Sequence, residues 1–114
     1  MKLHDAVERL SALAHPSRLA VFRLLVQRGP EGVAAGAIAE ALEIAPPTLS
    51  FHLAQLARAG LVASRREGRS VVYSADYAAS GELVAFLYDN CCGGGCEPLV
   101  TLAPARRADR RTDA

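Results

Sequence analysis

The chain has 114 residues, enough for one domain with a single modest core. Hydrophobic residues make up 51% but aromatics only 5%, so the core is expected to be closely packed helices of small and aliphatic side chains, to which dimerisation would add buried surface. A net charge of +1 excludes a uniformly basic nucleic-acid coat, and charge has to be read locally.

No run approaches the roughly 18 to 20 consecutive apolar residues of a membrane span. The opening MKLHDAVERL alternates charge with apolar residues, unlike a signal peptide. A cytoplasmic protein with no membrane partner is therefore expected. Its three cysteines are an odd number, which fits ligands or reactive thiols better than a secreted disulfide framework.

In chain order, Leu3, Val7, Leu10 and Ala14 follow helical spacing through a first helix. It stops near Ala14, because Pro16 disfavours helical geometry at His15. A second helix runs from Pro16 to about Gln27, with Leu19, Phe22 and Leu25 or Val26 on its inner face, and Gly29-Pro30 ends it. His15 reads as a cap or packed polar residue rather than a metal ligand. Glu31 to Ala35 reads as a loop, followed by a short helix to Leu42 with Ile38 and Leu42 inward and a turn at Glu43-Ile44-Ala45.

The stretch APPTLSFHLAQLARAGLV, Ala45 to Val62, is the one the chain is organised around. Leu49, Leu53, Leu56 and Gly60 form one apolar stripe, Pro46 and Pro47 suit a first helical turn, and Gly60 suits a C-terminal stop. The other faces are expected to present Thr48, Ser50, His52, Gln55 and Arg58. Two short helices joined by a tight turn make a helix-turn-helix, whose second helix reads base edges in the major groove. Leu61 to Ser64 and Ser70 to Ala75 then read as a hairpin with Glu67-Gly68 as its turn, carrying Arg65, Arg66 and Arg69. Exposed arginines on a projecting hairpin suit phosphate contact. The fold class is therefore mainly α with a small β-hairpin, a winged helix-turn-helix.

Ser80 or Asp76 can cap a last helix reaching Asn90, on which Leu83, Val84, Phe86, Leu87 and Tyr88 make a wide apolar surface. With the stripe on the first helix, this surface implies a homodimer packed through the N- and C-terminal helices. Residues 1–90 form the winged-helix and dimerisation domain, 91–98 a cysteine-rich segment, and 99–114 a tail expected to be disordered.

The pieces ALAHPSRLAVFRLL (Ala12 to Leu25), PTLSFHLAQLARAGLV (Pro47 to Val62) and RREGRSVVYS (Arg65 to Ser74) resemble the ArsR/SmtB family of bacterial winged-helix metalloregulatory repressors. The resemblance implies an α1-α2-α3-α4-β-wing-α5 homodimer that binds an imperfect inverted repeat in operator DNA and is released by an inducing ion. Thr48, Ser50, His52 and Gln55 would then contact bases or phosphates, and Arg65, Arg66 and Arg69 the flanking backbone. Two familiar ion sites are missing: Val33 to Gly36 stand where one arsenic site needs cysteines, and no histidine follows His52 to build the last-helix zinc site. Ala45-Pro46 replaces a polar pair that touches DNA in many members.

Cys91-Cys92-Gly93-Gly94-Gly95-Cys96 resembles the C-terminal cysteine cluster of arsenic-responsive members. Trivalent arsenic is soft and takes three sulfur ligands in a pyramid, which three thiolates without a fourth donor match. As(III), or Sb(III), is thus the expected inducer, with no organic cofactor. Zinc would want a fourth ligand, from Glu97, Asp89 or water. A Cys92 to Cys96 disulfide would make a redox sensor, whereas a vicinal Cys91-Cys92 bond would be strained. A thiol oxidoreductase or arsenate reductase is disfavoured, because no Cys-x-x-Cys occurs and the cysteines lack an activating helix N-terminus. A protein-binding winged helix is the remaining alternative, and absent affinity for duplex DNA would mark it.

Overall fold

The structure is a computed structural model that describes residues 1–94. Five helices, α1 (Leu3–Leu13), α2 (Pro16–Arg28), α3 (Ala35–Leu42), α4 (Pro46–Arg58) and α5 (Tyr77–Leu87), accompany a three-stranded sheet of β1 (Val33–Ala34), β2 (Val62–Glu67) and β3 (Ser70–Ala75). A 3₁₀ turn over Cys91–Gly94 follows α5. This is the winged helix-turn-helix expected from the sequence. Cys96 and the tail fall outside the described residues.

Local chemistry explains most of the boundaries. Lys2 N–H donates to Asp5 Oδ2 at 3.1 Å and closes the start of α1. His15 caps α2, its Nδ1 accepting from the Ser17 amide at 3.1 Å, with Pro16 in the first turn. Asp76 rather than Ser80 caps α5, its Oδ1 accepting from the Ala79 amide at 2.9 Å. The α-helix stops at Leu87, three residues short of the expected Asn90, and a tighter turn takes over.

The core lies between α2, α3, α4 and the root of the hairpin. Val21, Leu25, Ile38, Leu49, Leu53, Leu56 and Leu61 are fully buried, so truncating one of the leucines to alanine would cost about 2 to 5 kcal/mol. The expected inner face of α2 needs correction at Leu19 and Val26, which are exposed, while Val21 and Leu25 point inward. Apolar residues surround this helix and it packs against α1, α3, α4 and β3 at once, so spacing along it does not single out one inward face.

The sheet order is β1-β3-β2, all antiparallel. β1, expected as part of a loop, pairs Val33 with Tyr73 and Ala34 with Val72. Gly32 makes that approach possible: its φ is +85°, and a Cβ there would sit 2.7 Å from the Tyr73 carbonyl oxygen. The hairpin turn is also shifted from the expected Glu67-Gly68. Glu67 pairs with Ser70, leaving Gly68-Arg69 as a two-residue loop with positive φ at its first position. Arg65, Arg66 and Glu67 therefore lie on a strand, alternating between the faces of the wing.

Candidate nucleic-acid interface and thiol pair

The helix-turn-helix is α3, the three-residue turn Glu43-Ile44-Ala45 and α4. In the turn, Glu43 adopts a left-handed conformation with φ +55°, and the Ile44 amide donates to the Ala39 carbonyl at 3.0 Å, closing the end of α3. The far end of α4 closes in the same way. Gly60, at φ +80°, donates to the Ala57 carbonyl at 3.0 Å, and Leu61 N–H donates to Leu56 O at 3.0 Å. The side chains of Leu56 and Leu61 are both fully buried beneath this bend, so the Schellman turn anchors the helix and launches the wing together.

On α4, Leu49, Leu53 and Leu56 face the core as expected, and Thr48, Ser50 and Arg58 are exposed. His52 is the correction. Expected on an outward face, it is only 5% exposed. Its ring stands 4.7 Å from that of His15, and its Nδ1 lies 3.4 Å from Arg18 Nη1. The position sits three residues after Leu49 and four before Leu56, on the flank of the apolar stripe, and it is filled because α2 brings a hydrogen-bonding partner there. Burial, with the nearby His15 and Arg18, pushes the His52 pKa below its ordinary 6.5. His52 is therefore a neutral core residue at neutral pH, not a free DNA contact.

Phe51, which sequence reasoning did not single out, takes the outward position instead at 57% exposure. Gln55 is half-buried and lines a cleft of about 340 Å³ together with Arg18, Arg58, Glu8 and Ser11. Arg18 also donates from Nε to the Ala12 carbonyl at 2.7 Å, joining the end of α1 to the α2–α4 contact.

The three wing arginines are exposed but not equivalent. Arg65 donates from Nε to Glu67 Oε2 at 2.8 Å and from Nη2 to the Glu31 carbonyl at 2.7 Å, tying the wing to the segment before β1. Arg66 and Arg69 make no ion pair among the described residues.

At the other end of the chain, Tyr77 O–H donates to the Val26 carbonyl at 3.0 Å, and Arg9 of α1 donates to the Ala79 carbonyl at 2.9 Å and pairs with Glu82 at 3.2 Å. These contacts fix α5 against α2 and α1. Beyond α5, Cys91 Sγ and Cys92 Sγ lie 3.7 Å apart, with Cys91 half-buried and Cys92 exposed. Asn90, Cys92, Gly93 and Gly94 all have positive φ, so the chain coils tightly at the thiols. Among the described residues no group of three or more His, Cys, Asp or Glu side chains converges on one point. The third expected thiol, Cys96, lies outside them.

Comparison with known proteins decides the family. A helix-turn-helix domain family matches residues 13–65. The HTH-type transcriptional regulator YgaV of Escherichia coli is 30% identical over 88 residues, 77% of this chain and 87% of its own length. The homodimeric winged helix-turn-helix DNA-binding domain of Mb0332 from Mycobacterium bovis, described as a possible ArsR-family transcriptional regulator, superposes with a TM-score of 0.62 at 33% identity, covering 83% of this chain and 88% of that one. The chain belongs to the ArsR-like family of winged helix-turn-helix transcriptional regulators. Two further proteins are similar over much of the chain. Nodulation protein NolR of Rhizobium meliloti is 35% identical over 70% of this chain, which spans 63% of the NolR length. A solved chain described as a possible transcriptional regulator for arsenical resistance matches with a TM-score of 0.62 at 29% identity, covering 70% of this chain and 80% of that one. This ArsR-like chain is thus grouped with DNA-binding regulators and not with enzymes. No helix among its described residues is long and apolar enough to cross a membrane.

Proposed function

We propose that this ArsR-like regulator is a cytoplasmic homodimeric repressor that leaves its operator when trivalent arsenic, or antimony, is held by Cys91, Cys92 and Cys96. The observation that carries the reading is the thiol pair after α5: two sulfurs 3.7 Å apart, accessible, on a chain coiled by consecutive positive φ values. Two adjacent soft donors within reach of one ion suit a thiophilic three-coordinate ligand, to which Cys96 would supply the last sulfur. The similarity to a regulator described in connection with arsenical resistance points the same way.

The dimer is supported by unsatisfied apolar surface. Leu3, Val7 and Leu10 on α1 and Leu87 on α5 are exposed, on two helices that Arg9 holds side by side. Burying this surface against a second copy would set two α4 helices about 34 Å apart, one DNA turn, for an inverted repeat. Thr48, Ser50 and Gln55 on α4 would meet bases and phosphates, and the wing arginines the flanking backbone. His52 would act from inside by positioning the helix. A rearranged thiol segment would act on the end of α5 and so on the dimer face, changing the spacing of the two recognition helices. Reciprocity follows: DNA must weaken ion binding by the factor by which the ion weakens DNA binding.

The test is fluorescence anisotropy of reduced protein on an operator selected from random duplexes, titrated in parallel with arsenite, zinc and a mild oxidant. Release by arsenite in the wild type, with unchanged DNA affinity but no release in Cys91→Ser, Cys92→Ser and Cys96→Ser, is the expected result. Release by zinc or oxidant alone would replace the signal and keep the repressor. Loss of operator affinity in the serine variants would make the thiols structural and overturn the sensor.

A further inference from the structure

Resting on the DNA-binding reading above, we propose that Phe51 reads the 5-methyl group of a thymine in the operator's major groove, and so sets part of the sequence specificity. At 3.6 residues per turn Phe51 points roughly opposite Leu49 and Leu56, the fully enclosed side of α4. It is the one large apolar side chain among the exposed residues of this helix, at 57% exposure. Its described aromatic contact is with the ring of His52, edge to face, with centroids 5.8 Å apart. Since His52 is itself packed on His15, the Phe51 ring rests on a fixed base while its outer part stays bare.

The surroundings of Phe51 narrow what it can touch. Pro47 lies one turn before it and Ala54 three residues after, both exposed and neither bearing a hydrogen-bonding side chain. Gln55, one turn on, is half-buried in the cleft with Glu8, Ser11 and Arg18, and Arg58 lies two turns on at the C-terminal end of α4, so Pro47 and Ala54 are the side chains that flank the ring most directly. Phe51 lies in the second turn of α4, in the N-terminal half of a recognition helix, where base contacts concentrate. A phenyl ring can neither donate to nor accept from purine N7, guanine O6 or the exocyclic amines. The one apolar feature of the major groove is the thymine methyl. An aromatic face left in water without that partner would bring no specificity, whereas against a methyl group it favours thymine over cytosine at the same position.

The experiment removes only the methyl group. In the selected operator each thymine of one half-site is replaced singly by deoxyuridine, and affinity is measured by anisotropy for the wild type, Phe51→Leu and Phe51→Ala. The wild type should lose about fourfold at one thymine, the transfer worth of a single methyl group. Phe51→Leu should keep part of that loss, and Phe51→Ala should bind weakly and respond to none of the replacements. A wild type indifferent to every replacement, or a Phe51→Ala variant with the full fourfold loss, overturns the assignment while leaving the repressor intact. A Phe51→Ala protein that sediments as a monomer where the wild type is a dimer would also overturn it, placing the ring in a subunit contact. Failure of the wild type to bind any selected duplex would overturn the DNA-binding reading as well.

Discussion

The imidazole rings of His15 and His52 lie 4.7 Å apart, tilted by 47°, so the capping residue of α2 is packed against the buried middle of α4. Each ring uses Nδ1 toward the protein: His15 accepts from the Ser17 amide at 3.1 Å and His52 faces Arg18 Nη1 at 3.4 Å. A proton added to His52 would be desolvated and would meet a guanidinium, and for these reasons its pKa is lowered. The unfolded chain then binds more protons than the folded one as pH falls below about 6.5, and stability falls with it. The contribution is complete above that value and is lost as pH drops through the lower folded pKa. Urea unfolding between pH 8 and pH 5 should show this decline, and His52→Gln should flatten it. An unchanged slope in the variant would assign the dependence to other groups.

Two glycines predict opposite effects of the same substitution. A Cβ would meet nothing within 4 Å at either Gly36 or Gly60, but Gly60 has φ +80°. Gly60→Ala therefore changes backbone strain alone and should cost about 1 to 2 kcal/mol. Gly36→Ala, inside α3, should gain about 0.5 to 1 kcal/mol. Glu43, a non-glycine residue at φ +55° in the helix-turn-helix turn, makes the converse case, and Glu43→Gly should raise stability. Thermal unfolding of the three variants checks all of these, and a Gly60→Ala protein as stable as wild type would show that the turn relaxes.

The wing arginines should separate by chemistry. Arg66→Ala and Arg69→Ala should each reduce the slope of log affinity against log salt by about 1, as expected for a single lost phosphate contact. Arg65 holds the Glu31 carbonyl and Glu67 through a two-pronged guanidinium, a geometry that lysine does not reproduce. Arg65→Lys should thus weaken operator binding although the charge is kept, whereas Arg66→Lys should be close to neutral. Equal behaviour of the two lysine variants would remove the tether from the account.

Charge placed on the α1 stripe or the α5 end should dissociate the dimer. Val7→Glu or Leu87→Glu, both at exposed apolar positions, should yield monomers by sedimentation velocity. Operator affinity should fall about 100-fold or more, because the second half-site no longer binds intramolecularly. A dimer surviving both substitutions would place the interface elsewhere.

Helix order, the recognition stretch and its closing glycine could be read directly, because each depends on neighbours within one or two turns: Pro16 after His15, Leu49 with Leu53 and Leu56, Gly60 before Leu61. The same local logic located the wing, though with its turn one residue early: Glu67-Gly68 would put a glutamate at positive φ, whereas Gly68-Arg69 puts glycine there, and Glu67 pairs with Ser70 across the strands. β1 escaped notice because two residues make no pattern, and its strand character comes entirely from β3. The cysteines were legible as chemistry, but the 3.7 Å between two of the sulfurs was not.

The outward face of α4 is where the chain alone misled. Residue type argued that His52 points to DNA, and the fold instead buries it and leaves Phe51, which carried no expectation, on the outer face. Local sequence determined that α4 is a helix with a leucine stripe, because spacing and end signals act along the chain. Only the tertiary structure decided which flank of that stripe is covered: α2 brings His15 and Arg18 over His52, and nothing in the described chain covers Phe51 to the same degree. A polar side chain is buried when a distant element supplies its hydrogen bond, and an apolar one is left out when none packs over it.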